Sequence, residues 1–415
     1  MTEPPASTKP PAPTLRQRLT VLGFGLLVGF ALVEIALRVA TVDAGHGRVR
    51  IAFVGLVPYP PPESEPEPFA PAKGYLTYDE HAGWSPRPLG ASADGMYLAD
   101  QHGLRASAAA PREIPADKTR ILLVGDSFAH SDEVRCEESL GAAIEKALPP
   151  SVVLNAGVPG FGTDQAYLRY LALRDELKPS VVILGVHQND FERNVRLFSS
   201  GGEWGGTLPF SKPRFLIDEK DGDLSLVNSP PVRGDAIRRL FDDYDVTEFA
   251  RWDSLHVAGE TQPRVTDFVR TFRFLRSFLA HREYRRRYAE RDKIGSGCEI
   301  HRVTGAIVER FARDVKAAGS VPVVITLPAR WQITSWRERN PWWDAPLRAA
   351  CEKSGCAYVD VTPLMSDDLA ARGKTELEPF TQNGMGHYKP LTNAQVAAWL
   401  IPALSAALDE VRRGK

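Results

Sequence analysis

At 415 residues the chain exceeds one average domain, and its 51 basic against 52 acidic residues give a formal net charge of -1, so no overall field favours nucleic acid or another polyanion. Hydrophobic residues make up 43%, enough for a full core and too many for a disordered chain. Partners must therefore be sought at local sites.

In chain order, residues 1–15 form a proline-rich tail, "MTEPPASTKPPAPT" over most of its length, with nothing to pack. The run "LTVLGFGLLVGFALV" (Leu19 to Val33), continued by "EIALRVATV", predicts a transmembrane anchor over 16–41. As a helix it would be about 37 Å long, enough to span a bilayer with tilt. Glu34 and Arg38 interrupt it at i and i+4, spaced to pair near one interface. A cleaved signal peptide and a buried core helix compete with this reading. "VATVDAGHG" is a weak cleavage site, and an apolar run after a disordered tail has little to pack on. Lys9, Arg16 and Arg18 nearly balance Arg38, Arg48 and Arg50, so charge does not set the orientation.

Residues 42–74 include "VPYPPPESEPEPFAPAKG" and predict an extended, semi-rigid spacer. Residues 75–118 carry aromatic and turn signals without helical period and read as short strands and loops covering one sheet edge. From Thr119 to Lys415 strands and helices alternate. "RILLVG", "SVVLNAG", "SVVILGV", "VPVVITL" and "CAYVDV" are nearly continuous in apolar residues, as parallel strands buried on both faces must be. Helical patterns such as "EESLGAAIEKAL", "DQAYLRYLALRDEL" and "VTGAIVERFARDVKAAG" separate them. The prediction is a doubly wound α/β/α layer with its ligand site at the carboxyl ends of the strands.

Those strand ends carry polar residues. The first strand leaves through Gly125, Asp126 and Ser127, which puts a serine hydroxyl on a tight turn at the open rim, a nucleophile's location. Alone, Gly-Asp-Ser is also an ordinary turn. The second strand ends in "NAGVPGFGTDQ", where Gly157, Gly160 and Gly162 let backbone N–H groups approach a ligand. The third ends in "GVHQNDFERN" with Asn189, whose amide is a suitable oxyanion donor. "NGMGHYKPLTNAQ" places His387 just before the last helix.

Serine, glycine, asparagine and histidine on successive rim loops resemble the SGNH (GDSL-like) hydrolase superfamily over Thr119 to Ala407, apart from an insertion at about 191–301. The resemblance implies a flavodoxin-like three-layer α/β/α sheet. It implies Ser127 as nucleophile, Gly160 and Asn189 as oxyanion donors and His387 as base. "DEHAGW" and "DQHGLR" are similar to membrane-anchored bacterial members whose catalytic domain faces outward. That likeness, and not charge, places the N-terminus in the cytoplasm and the domain in the periplasm or outside the cell. Anchored relatives act in polysaccharide O-acetylation beside integral-membrane acyl donors. The expected function is thus a serine esterase or O-acyltransferase on acyl esters, acetyl esters of carbohydrate among them, with no cofactor, metal or nucleic acid. A non-catalytic glycan-binding or scaffold protein of a membrane assembly is the alternative.

One departure supports that alternative. The family usually has an aspartate two or three residues before the histidine, where this chain has Met385 and Gly384. A backbone carbonyl or a distant carboxylate such as Glu378 is the candidate replacement. His187 reads as a polar side chain closing a strand or a substrate contact, His130 as exposed loop, and Asp126 and Asp190 as loop-holding groups. Cys136, Cys298, Cys351 and Cys356 allow three pairings, with Cys351–Cys356 closing a small loop, or four buried thiols. Within the insertion, Val265, Phe268, Phe272, Leu275 and Leu279 recur at helical spacing and predict a packed face. Arg282, Arg285, Arg286, Arg287 and Arg291 follow, as a solvated face or as a contact for anionic glycan or lipid head groups.

Overall fold

The computed structural model of the chain describes residues 13–45, 48–52, 54–59, 74–198, 211–289, 297–338, 343–381 and 386–414. The apolar run near the N-terminus is one helix, α1 (Leu15–Ala40), opened by a capping box between Thr14 and Gln17. None of its residues is buried, and by length and composition it is a candidate membrane span. Arg38 and Glu34 pair at 2.7 Å, as their spacing predicts. After it the expected spacer begins as structure, because Thr41–Gly45, Arg48–Ile51 and Val54–Gly55 form a three-stranded antiparallel sheet. Its proline-rich part, 60–73, lies outside the described residues.

The five apolar runs become five strands: β1 (Thr119–Val124), β2 (Ser151–Asn155), β3 (Val181–Val186), β4 (Val321–Thr326) and β5 (Ala357–Val359). They form one sheet of order β2-β1-β3-β4-β5, every pair parallel. The helices that matter are α2 (Ser127–His130), α3 (Leu140–Ala147), α4 (Thr163–Leu177), α5 (Gln188–Arg193), α6 (Arg270–Ala289), α7 (Glu299–Ala317), α8 (Ala345–Ser354), α9 (Val361–Ala371) and α10 (Pro390–Gly414). Successive side chains alternate between two buried faces. Leu122, Val124, Leu154, Leu184 and Val324 pack with α4, α7 and α8, and Ile121, Leu123, Val153, Ile183 and Ile325 with α3, α9 and α10. α10 is apolar enough to be a second candidate span, yet Val396, Leu400 and Leu404 are fully buried against the sheet, so it is a core helix.

The strand order reverses between β1 and β3, where the chain departs to opposite sides. Val124 faces Leu184 in register, so both strands open at the same level of one rim. This switch point is where doubly wound sheets bind ligands.

Two short hairpins, Leu76–Asp79 with Gly83–Pro86 and Leu98–Ala99 with Arg105–Ala106, bond to the rim loops. Trp84 is fully buried there, and its Nε1 donates to the Pro159 carbonyl at 3.0 Å. The insertion adds the hairpin Arg214–Ile217/Leu224–Val227, helices Asp235–Asp242 and Glu248–Trp252, and α6. Lys212 fastens it by donating to the buried Asp164 carboxylate at the start of α4 and to the Arg193 carbonyl of α5 at 3.0 Å. The stripe from Val265 to Leu279 departs from expectation: it is exposed along its length, and no core among the described residues covers it. All four cysteines are thiols, Cys351 buried and the others half-buried, and the Cys351 and Cys356 thiols share a hydrogen bond in place of a disulfide.

Candidate active site

β1 gives way to Gly125, whose φ of +155° no side chain suits; a Cβ there would come within 2.6 Å of the Gly185 carbonyl and 2.7 Å of Ala129. The next residue, Asp126, caps α2 by accepting from the Phe128 N–H at 2.9 Å. Ser127 is therefore the first residue of a four-residue helix, and its own N–H lies among those that helix start leaves unpaired. The block after β2 braces this turn. Asn155 Nδ2 donates to the Ala129 carbonyl at 3.0 Å, and a Cβ on Gly157 would stand 2.4 Å from the His130 nitrogen.

His387 reaches the turn from the loop before α10. Its Nε2 lies 2.9 Å from Ser127 Oγ, and its ring packs on Phe128 with centroids 4.9 Å apart. Its Nδ1 lies 2.9 Å from Glu133 Oε1, and the Thr381 hydroxyl donates to the other carboxylate oxygen. Ser127, His387 and Glu133 thus form one hydrogen-bonded chain, with Ser127 8% and His387 6% exposed. The acid comes from the loop just after the serine, not from the residues before the histidine. Glu378, the carboxylate suggested by sequence, stands instead 3.7 Å from Lys374. Gly384 and Met385 lie outside the described residues.

Glu133 sits in left-handed backbone, φ +67°, two residues after Ser131 at +63°, and such a loop needs external support. The hairpins over the rim provide it. Tyr97 Oη accepts the Glu133 N–H at 2.8 Å, and Arg105 donates to the Val134 carbonyl. His130 completes the brace and corrects its expected exposure: it is fully buried, with Tyr75 Oη 2.8 Å from Nε2 and Arg105 Nη1 3.0 Å from Nδ1. Burial, then the Arg105 charge, push its pKa down to about 4. Unfolding would restore a value of about 6.5, so the native state gives up stability as pH falls through that interval, about 3 kcal/mol in all. Denaturant titrations at pH 7, 5.5 and 4 should show His130→Gln losing less over the interval than the native chain. Parallel curves would remove His130 from the acid response.

Beneath the serine lies a charged cluster. Arg193 Nη1 donates to Asp126 Oδ2 at 3.2 Å, to Asp190 Oδ1 at 2.9 Å and to the Phe161 carbonyl at 2.8 Å. Asp190 Oδ2 accepts the His187 N–H at 2.8 Å, and His187 stacks on Phe128 at 4.6 Å. Both carboxyls thus hold their loops, as expected. Burial raises both pKa values, Asp190 further because Asp126 repels it, while Arg193 opposes the rise. Asp126, His187 and Asp190 are close enough together to hold a metal ion. The guanidinium already bridges both acids there, which is the charge a cation would otherwise supply.

The remaining expected residues lie on the same rim. Gly160 is on the loop after β2 with φ +81°, and Asn189 is in the first turn of α5, its N–H donating to His187 Nδ1 at 3.2 Å. Both are half-buried.

No family model and no curated protein match the chain. Solved structures similar to it include TesA, at 12% identity over 70% of this chain and 99% of that one, TM-score 0.35. The esterase EstA from Pseudoalteromonas sp., inhibited by monoethylphosphonate, is similar at 10% identity over 70% and 100%, TM-score 0.35. A two-domain esterase active on acetylated mannans is similar at 11% identity over 71% of this chain and 50% of its own, TM-score 0.34. At such identities nothing about substrate passes from them to this chain. The parallel sheet of order β2-β1-β3-β4-β5 between two layers of helices is an α/β/α fold, and the serine, glycine, asparagine and histidine blocks succeed one another along its rim.

Proposed function

We propose that the chain is a membrane-anchored, extracytoplasmic serine esterase or O-acyltransferase acting on acyl esters of carbohydrate. The observation that carries the catalytic part is the relay itself, His387 at 2.9 Å from both Ser127 Oγ and Glu133 Oε1. Ser127 attacks the acyl carbonyl as His387 Nε2 takes its proton, and Glu133 stabilises the imidazolium. The Ser127 and Gly160 N–H groups and the Asn189 amide receive the oxyanion. The alkoxide leaves with the proton from His387, and water or a sugar hydroxyl then releases the acyl group from the serine. Water gives hydrolysis and the sugar gives transfer. The outward-facing domain and the carbohydrate substrate rest on the resemblance to anchored bacterial members. The scaffold alternative draws on the absent aspartate, and the Glu133 carboxylate 2.9 Å from His387 Nδ1 supports the catalytic reading over it.

A fluorophosphonate probe should label the native chain and leave Ser127→Ala unlabelled; a folded native chain that resists the probe would overturn the proposal. Asn189→Ala should lower turnover of a small acetyl ester by roughly a hundred-fold or more with little change in Tm, because the donor acts in the transition state. Unchanged turnover would remove Asn189 from the oxyanion site. Protease added to spheroplasts should digest the domain, and its protection would reverse the orientation.

A further inference from the structure

The stripe that the core leaves open begins beside the candidate anchor. Val265 is 86% and Phe268 82% exposed, and Phe272, Leu275, Phe278 and Leu279 lie between 48% and 54%. They occupy one side of α6 and of the single 3₁₀ turn before it, Val265–Phe268. The opposite side is bolted to the protein. Arg273 Nε donates to the Val57 carbonyl at 2.8 Å, Tyr284 Oη to Glu192 at 2.6 Å and Arg287 Nη1 to the His256 carbonyl at 2.7 Å.

The start of α6 is joined to α1. Glu34 accepts from the N–H groups of Arg270 at 2.9 Å and Thr271 at 2.8 Å, and from the Thr271 hydroxyl at 2.9 Å. Arg38 Nη2 donates to the Phe268 carbonyl at 2.7 Å, and the rings of Phe30 and Phe272 lie 5.7 Å apart. Glu34 and Arg38, the charged pair that interrupts the apolar run of α1, thereby find partners at this junction, and the apolar surface of α1 continues onto α6.

We infer that the Val265–Leu279 stripe of the insertion is a second membrane contact, an interfacial helix lying in the leaflet into which the C-terminal end of α1 emerges. The inference rests on the reading of α1 as an anchor. From Arg18 to Arg38 the helix rises about 30 Å, the thickness of the hydrocarbon layer, which sets Arg38 at the interface. Phe30 then lies about 12 Å deeper, so Phe272, in contact with it, is below the head groups and Phe268 is at their level. An amphipathic helix at the interface buries its apolar side about 5–10 Å, so Phe272 lies at the deep edge of that range. The exposed arginines that follow, Arg282 and Arg285, come where the stripe ends, placed to reach the head groups, while Arg286 pairs with Glu283 at 2.8 Å and Arg291 lies outside the described residues. Two attachments, one spanning and one lying flat, fix the orientation of the catalytic domain to the bilayer where a single anchor would leave it free to swivel.

The test uses the full chain in vesicles of phosphatidylethanolamine and phosphatidylglycerol, with p-benzoylphenylalanine replacing Phe268, Leu275 or Leu279 in turn. Leu26 in α1 and the exposed Val246 outside the stripe serve as references. After illumination, mass spectrometry should find phospholipid adducts at the three stripe positions and at Leu26, and none at Val246. Lipid adducts at Leu26 without any in the stripe would overturn the inference and keep the anchor. Adducts in the stripe without any at Leu26 would remove the anchor and with it the inference of a second contact, leaving the stripe as the attachment to lipid. A crosslinked dimer in vesicles, or a protein adduct replacing lipid in native membranes, would assign the stripe to a second copy or a protein partner and overturn the inference. Labelling of Ser127 by the fluorophosphonate is independent of all these outcomes.

Discussion

Glu133→Gln is expected to lower kcat for a small acetyl ester by roughly a thousand- to ten-thousand-fold with little change in KM, the size of loss found when a triad carboxylate becomes an amide. The carboxylate accepts from Nδ1, which leaves Nε2 bare to take the serine proton. An amide in its place offers N–H groups to Nδ1, favours the tautomer protonated at Nε2, and so turns the base away from Ser127. Glu133→Asp should retain part of the rate, since its shorter arm keeps the charge but lengthens the 2.9 Å contact. Glu378→Ala should leave kcat unchanged, because that side chain keeps company with Lys374. Measuring Tm beside kcat separates an effect on chemistry from an effect on the loop. Turnover near the native value in folded Glu133→Gln would show that His387 is oriented by something else.

The acid was out of reach of sequence reasoning for a physical reason. Parallel strands such as β1 and β3 are legible because burial on both faces writes a continuous apolar run into a few neighbouring residues, and the structure keeps all five. Ser127 and His387 are legible because a glycine-relieved turn and a helix-preceding loop mark their own ends. The His387–Glu133 contact joins residues 254 positions apart, and Asp132 beside Glu133 offers the same chemistry. The fold decides between the two: Asp132 turns to His130, while Glu133, held in left-handed backbone by Tyr97, faces His387. The one available signal was a pair of acids immediately after the nucleophile block. His130 was misjudged for a related reason, since the hairpins that bury it come from a segment whose sequence shows turns but not their destination. In α6 the helical period was correct, and what covers its apolar side is a property of the surroundings, which periodicity does not carry.

Arg193→Met should cost about 3 kcal/mol at neutral pH, the lower part of the range for breaking a buried ionic network, because the Arg193 side chain keeps 24% of its surface in water. The loss should depend on pH in a definite direction. Asp126 and Asp190 already have pKa values raised by burial, and removing the guanidinium that opposes this raises them further. In the unfolded chain both return to about 3.9, so above that pH the folded variant binds protons that the unfolded variant has released. Stability of the variant therefore declines as pH rises from about 4 towards 7, further than that of the native chain, and recovers on acidification. Adding Asp190→Asn to Arg193→Met should restore part of the neutral-pH stability by deleting one of the two stranded charges. Since Asp126 caps the serine turn and Asp190 holds the His187 end of β3, the single variant should also lose esterase rate at pH 7 more than Tm alone would account for. A deficit independent of pH, with no recovery in the double variant, would mean that Arg193 stabilises the rim through packing and its bond to the Phe161 carbonyl and not by neutralising the two carboxylates.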